Sequence, residues 1–115
     1  MALTVTCQPA VGRYLAWLDE KPAGYLEYHL RGDDLAFVHT IVEADCEGQG
    51  VGSALVAAAL DGARADGHGV LPYCPFVRAY LLKHPSQLGL VPARRRLDFG
   101  LPADLGHPSE PPVSG

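Results

Sequence analysis

The residues best placed to do chemistry form one unbroken stretch, Cys46-Glu47-Gly48-Gln49-Gly50-Val51-Gly52-Ser53. Glycine at alternate positions lets a chain turn tightly and bring backbone N–H groups close to a ligand. The stretch follows an apolar run, Leu35 to Val42, and precedes an Ala-rich run, Val51 to Asp66, with helical spacing. A helix N-terminus behind such a turn adds about half a positive charge, so the pattern favours an anion, above all a phosphate. Two side chains outside the loop have reactive chemistry. Cys74 stands at the expected N-cap of a second helix, a position that activates thiols, although a small half-buried cap residue is the plainer reading. His39 would project from the strand face opposite Val38 and Thr40, either as a base or polar wall or as a hydrogen-bonded core histidine.

The elements that must position these groups are legible from periodicity. Val11 to Leu18, Ala23 to Leu30 and Leu35 to Val42 are apolar runs divided by the polar breaks Asp19-Glu20-Lys21-Pro22 and Arg31-Gly32-Asp33-Asp34. They read as an antiparallel meander whose third member is a central strand buried on both faces, with the first seven or so residues adding a further short strand. Val51, Ala54, Leu55, Ala58, Ala59, Gly62 and Ala63 follow i, i+3, i+4 spacing, which predicts a helix ending at Gly67. Gly69 to Tyr73 is a short strand that Pro72 confines to an edge or to the point where pairing stops. Pro75 suits the first position of a second helix, which Pro85 ends, and His84 falls at its C-terminus. A strand near Leu88 to Val91 is expected to follow, and then a fraying Pro-rich tail, giving a domain over residues 1–91 and a tail over 92–115.

Composition narrows the function classes. A chain of 115 residues that is 48% hydrophobic fits one domain without room for a second large one. Its net charge of −4 disfavours general attraction to nucleic acid, and Arg94-Arg95-Arg96, its one cationic cluster, reads as a solvated run. Three cysteines without a CxxC pair, and no signal-like N-terminus, point to a reducing cytoplasm. No apolar run approaches the ~18 residues of a membrane span, and no His, Cys or Asp set has metal-ligand spacing.

Three phosphate-binding patterns compete for the glycine loop. A Walker A loop needs Gly-Lys-Ser/Thr, and Gly52-Ser53 has no lysine between its members. A dinucleotide fingerprint counted from Gly50 puts Leu55 where its third glycine belongs. The x-x-Gly-x-Gly turn of coenzyme A-dependent acetyltransferases remains. Residues roughly 10 to 88 resemble the Gcn5-related N-acetyltransferase superfamily, and within it the minimal single-domain members. The resemblance rests on Phe37-Val38-His39-Thr40-Ile41-Val42, Glu47 to Val56, and Leu71 to Val77 with Tyr80 and Lys83-His84-Pro85. It departs from the superfamily at Glu47, where Arg or Gln is usual, and at Glu43, where Pro is frequent. A carboxylate ~7 Å from a pyrophosphate would oppose it by about 0.5–2 kcal/mol.

The resemblance implies an α/β fold: a twisted, mostly antiparallel sheet with one long helix after the glycine loop and a short C-terminal helix. It implies transfer of an acetyl group from acetyl-CoA, the cosubstrate, to a primary amine of a small molecule or protein by direct attack in a ternary complex, with no metal. Backbone groups of Thr40, Ile41 and Val42 would then hold the pantetheine arm and thioester oxygen, while Gln49, Gly50, Val51, Gly52 and Ser53 would cradle the pyrophosphate. By the same resemblance Cys74 lies near the acetyl group, and Tyr80 matches a tyrosine that protonates the leaving thiolate, with core packing as the alternative. The general base stays open among His39, Glu27, Glu43 and water. Glu43, Asp45 and Glu47 hint at a cationic acceptor or are a solvated rim. The expected partner is an amine acceptor of unknown identity, without nucleic acid or membrane, for a monomer or homodimer. The rival reading is a module that binds acyl-CoA without catalysis.

Overall fold

Five strands in sequence order make up the sheet of the computed structural model, which describes residues 2–102. Strands β1 (Leu3–Gln8), β2 (Arg13–Leu18), β3 (Lys21–Arg31) and β4 (Asp34–Val42) pair antiparallel as a meander, and β5 (Gly69–Pro72) joins β4 in parallel at the far edge. The parallel step requires a crossover, and helix α1 (Val51–Ala65) supplies it. A second helix, α2 (Pro75–Lys83), follows β5 directly. This is the mixed α/β, mostly antiparallel sheet that the meander of apolar runs and the long helical run imply.

Helix α1 ends on two bonds that satisfy its last carbonyls. The Gly67 N–H donates to Arg64 (3.2 Å) and the His68 N–H to Ala63 (2.9 Å), with Gly67 at φ +74, where only a glycine sits without strain. Leu55, Val56, Ala59, Leu60 and Ala63 are buried on this helix. Val56 and Leu60 widen the expected stripe because α1 packs against the sheet and also against α2 and the segment after it. Its partners in the core include Ala16, Leu26, Phe37, Val70, Val77 and Leu81.

Three expectations need correction. Strand β4 is buried on both faces only over Leu35–Phe37; His39 and Ile41 are exposed, because β5 pairs with β4 no further than Phe37. No strand forms near Leu88–Val91: Pro85–Leu90 is a 3-10 turn, started by a proline that cannot donate to a ladder. Residues 92–102, expected to fray, pack on the domain instead. Ala93–Phe99 is a further 3-10 turn, Phe99 and Leu101 bury in the same core as Val91, and the Arg96 Nε–H donates to the Val91 carbonyl (3.0 Å). The rest of the expected tail, 103–115, lies outside the described residues.

At the end of the sheet away from the glycine loop, Tyr14 and Tyr28 meet with ring centroids 5.6 Å apart, and the Tyr28 hydroxyl lies 3.7 Å from the Cys7 sulfur. Burial pushes the Tyr28 phenol up to about 12 and raises Tyr14 further, with Cys7 adding to both.

Candidate active site

The site begins where two strands part. Pairing of β4 with β5 runs from Asp34↔Gly69 to Phe37↔Pro72, and one last bond, from the Cys74 N–H to the Phe37 carbonyl (2.9 Å), closes it. Beyond that point β4 continues to Val42 against β3 alone, while the chain after β5 turns into α2 at Pro75. Proline at this position starts the helix and ends the ladder in one step. A wedge therefore opens beside Val38–Val42.

A bulge aims the side chains of this segment. The register passes from Glu27↔His39 to Tyr28↔Phe37, so Val38 is an extra residue on β4. Thr40 lies opposite the buried Leu26, on the face that carries α1; His39 and Ile41 lie opposite Glu27 and Tyr25 on the other face. Without the bulge, strict alternation along β4 would put Phe37 and Thr40 on opposite faces.

The glycine loop meets the wedge from below. Gly48 and Gly50 adopt φ +81 and +79, left-handed values that turn the chain into α1. Gly50 is the N-cap and offers no side chain, and the first turn contains no acidic residue. The first-turn amides of Val51, Gly52 and Ser53 thus have no side-chain cap and remain donors for an anion. Gly52 lets the Phe76 ring lie close: a Cβ there would stand 2.6 Å from the tip of that ring and push it aside. Thr40 and Val42, the loop, the first turn and Phe76 enclose a cleft of about 380 Å³, within the range of small-ligand sites.

Of the residues singled out in the sequence, Thr40, Val42, Gly50, Val51, Gly52 and Ser53 line this cleft. Ile41 and Gln49 do not. Ile41 is 42% exposed on the opposite face, and Gln49 borders a separate depression with Lys21 and Asp45, whose ammonium and carboxylate pair. That pairing holds Asp45 below the usual carboxylate range and raises Lys21, while burial pushes the neighbouring Cys46 thiol up.

The reactive side chains divide. Cys74, expected at an open helix end, is 4% exposed, and its thiol donates to the Thr40 hydroxyl at 3.4 Å instead of capping α2. It touches a lining residue without being open to solvent. Tyr80 borders a small cavity of about 80 Å³ that shares Ser53 and Phe76 with the cleft, and its ring stacks on His84 at 4.0 Å. His39 is outside the lining. Glu27 is also on the far face, bonded to His29 (3.0 Å) and close to Arg13 (3.9 Å). Glu47 lines the cleft, as its place in the loop suggested. Phe76 was missed as a site residue, because its place over Gly52 is a tertiary contact that no local pattern announces. Among the described residues no group of His, Cys, Asp or Glu could hold a metal ion, and no helix is long and apolar enough to cross a membrane.

Comparison with known proteins agrees with this geometry. A family model described as GCN5-related N-acetyl-transferase matches residues 13–89, which contain β2 through α2 and every lining residue of the cleft. Among solved structures, the NMR solution structure of a GCN5-like protein from Staphylococcus aureus superposes with a TM-score of 0.62 at 23% identity, covering 78% of this chain and 88% of that one. At that identity the likeness shows the fold alone. No curated protein matches the sequence. With the family model spanning most of the chain, from the meander through the wedge and glycine loop to α2, this protein belongs to the GCN5-related N-acetyltransferases and is an acyltransferase.

Proposed function

We propose that the protein transfers an acetyl group from acetyl-CoA to a primary amine by direct attack within a ternary complex. The observation that carries this reading is the meeting of two sets of unsatisfied backbone groups in one cleft. One is the β4 edge left unpaired beyond Phe37; the other is the uncapped first turn of α1. The first suits an extended pantetheine arm and a carbonyl oxygen, the second a pyrophosphate. Acetyl-CoA, when bound, supplies a thioester whose carbonyl carbon forms the new bond to the amine nitrogen as the bond to sulfur breaks.

The chain's own groups have three tasks. Backbone N–H groups of the Thr40–Val42 segment donate to the oxygen on which negative charge grows, a contribution that needs no particular side chain. Phe76 and Val42 exclude water from the reacting end. Tyr80, which lines a small cavity with Ser53 and Phe76, is the donor we assign to the departing thiolate. The amine loses its proton to water.

Glu47 favours the rival reading of a non-catalytic acyl-CoA binder, because a carboxylate beside the phosphate cradle opposes tight binding. Isotope-labelled acetyl-CoA incubated with simple amines and basic peptides separates the two. We expect label in the amine at a rate proportional to enzyme. Retention of coenzyme without labelled amide across the panel would favour the binder.

A further inference from the structure

A second cavity, of about 540 Å³, lies against the same parting of β4 and β5. Its walls include Ala36 and Val38 from β4 and Leu71 and Tyr73 from the β5 side, with Arg31, Asp34, Arg94 and Arg95 at its polar rim. Adjacent residues serve the two cavities. Val38 lines this one and Thr40 the coenzyme cleft; Tyr73 lines this one, while the next residue, Cys74, touches Thr40. The Val38–Thr40 segment and the Tyr73–Cys74 corner thus lie between the two cavities.

The charge of this cavity is opposite to that of the chain. Arg31, Arg94 and Arg95 stand against Asp34 in the lining and against Asp98, which pairs with Arg95 beside it, leaving an excess of positive charge in a protein of net charge −4. Asp34 is engaged by Arg94 (3.5 Å). Arg95 is fixed from three sides: its Nε–H donates to Asp98 (2.8 Å), a terminal N–H donates to the Tyr73 hydroxyl (3.3 Å), and its plane lies 5.3 Å from the Phe99 ring. Tyr73 is itself held edge-on against Phe99, with centroids 5.1 Å apart. A guanidinium held in place beside an apolar wall is a prepared site for a carboxylate, since little side-chain freedom remains to be lost on binding. These are the residues that the sequence presents as a solvated basic run, and the fold carries two of them to the lining of this cavity.

We infer that the acceptor is a small amine bearing a carboxylate, with its carboxylate held by Arg31, Arg94 and Arg95 and its amine reaching the parting of the strands. This inference rests on the proposed acetyl transfer and adds the class of acceptor. It reverses the hint of a cationic acceptor from Glu43, Asp45 and Glu47, since neither Glu43 nor Asp45 lines either cavity and Glu47 lines the coenzyme cleft.

The test uses the full chain, uniformly labelled with nitrogen-15. β-Alanine, 4-aminobutyrate and lysine are titrated in the presence of CoA, each paired with the amine that lacks only its carboxyl group. Phosphoethanolamine and ethanolamine are a further pair. We expect the carboxylated members to shift the Val38 and Tyr73 amides and the Arg95 Nε–H. Arg31→Gln and Arg94→Gln, both at exposed side chains, should each weaken that binding roughly tenfold. Acetyl transfer followed in parallel should prefer the carboxylated member of at least one pair by a similar factor. Equal response within every amino acid pair overturns the inference while leaving acetyl transfer standing. A response to phosphoethanolamine alone overturns it as well. So does loss of CoA-induced stabilisation in the arginine variants, which would assign them to the coenzyme. Failure of all transfer, with the carboxylate-specific shifts intact, would count against the proposed chemistry and not against this site.

Discussion

Gly52→Ala should separate folding from coenzyme binding more cleanly than any other single change. The added methyl group would stand 2.6 Å from the Phe76 Cζ and 3.0 and 3.2 Å from its two Cε atoms. Those atoms are the far end of a side chain that is 42% exposed, so the ring can move. Alanine also favours a helix over glycine by about 1 kcal/mol. The two effects oppose each other, and unfolding in urea should change by about 1 kcal/mol or less. Binding should respond far more, because the displaced ring and the methyl group both crowd the first-turn amides. Losing one charge-assisted amide–phosphate bond costs about 1.5–3 kcal/mol, or roughly 10- to 150-fold in affinity. With CoA at about 100 times the wild-type Kd, stabilisation of about 2.7 kcal/mol would fall to about 0.4 kcal/mol for a 100-fold loss. In a thermal melt that is a shift of roughly 10 °C reduced to a degree or two. Gly67→Ala, at the far end of α1, is the control. Its Cβ would meet nothing within 4 Å, yet its φ of +74 costs a non-glycine residue about 1–2 kcal/mol. It should melt lower and keep the CoA shift. A full CoA shift in folded Gly52→Ala would refute the assignment of these amides to the pyrophosphate.

Relative to a chain ending at Pro102, truncation after Val91 should remove about 3–6 kcal/mol with the burial of Phe99 and Leu101; urea midpoints of the two proteins check this. Iodoacetamide should modify Cys7, which is exposed, well before Cys74 or Cys46, which are buried, as peptide mass spectrometry with time would show. Cys74→Ser should lower acetyl transfer by less than about tenfold, since direct attack needs no acyl-cysteine; a loss beyond a thousandfold would require one. Above the ordinary tyrosine value stability should fall steeply with pH, because Tyr14 and Tyr28 hold their protons in the folded state while the unfolded chain releases them. Each contributes up to about 1.4 kcal/mol per pH unit between about pH 10 and 12. Tyr28→Phe should flatten that decline in urea midpoints measured from pH 8 to 11.5.

Local chemistry made part of this protein legible from its residues alone. The glycine loop, the start of α1 at Val51 and of α2 at Pro75, and the three-run meander depend on neighbours in sequence, and all are present. What escaped depends on distant contacts. The bulge at Val38 exists only in the register of β4 against β3; alternation alone separates His39 from Thr40, but it also puts Val38 with Thr40, whereas the bulge brings Phe37 and Thr40 to one face and leaves Val38 lining the other cavity. Cys74 stands at the expected cap position and is buried, nearer the small half-buried cap residue than the reactive thiol, but its bond to Thr40, 34 residues away in sequence, is not readable from that position. Val91, Phe99 and Leu101 have no periodicity to announce burial; each enters the core from a 3-10 turn or its flank. Arg94 and Arg95 read as a surface run because their cavity is assembled from β3, β4 and β5 as well.

The central claim is that the β4 edge and the first turn of α1 together hold acetyl-CoA. Titration of nitrogen-15-labelled protein with acetyl-CoA tests it directly. The account predicts one-to-one saturation, with the largest amide shifts at Gly50–Ser53 and Thr40–Val42 and smaller ones at Tyr80. Absence of saturable shifts, or shifts centred on Gln49 and Lys21 or on Arg94 and Arg95, would contradict it.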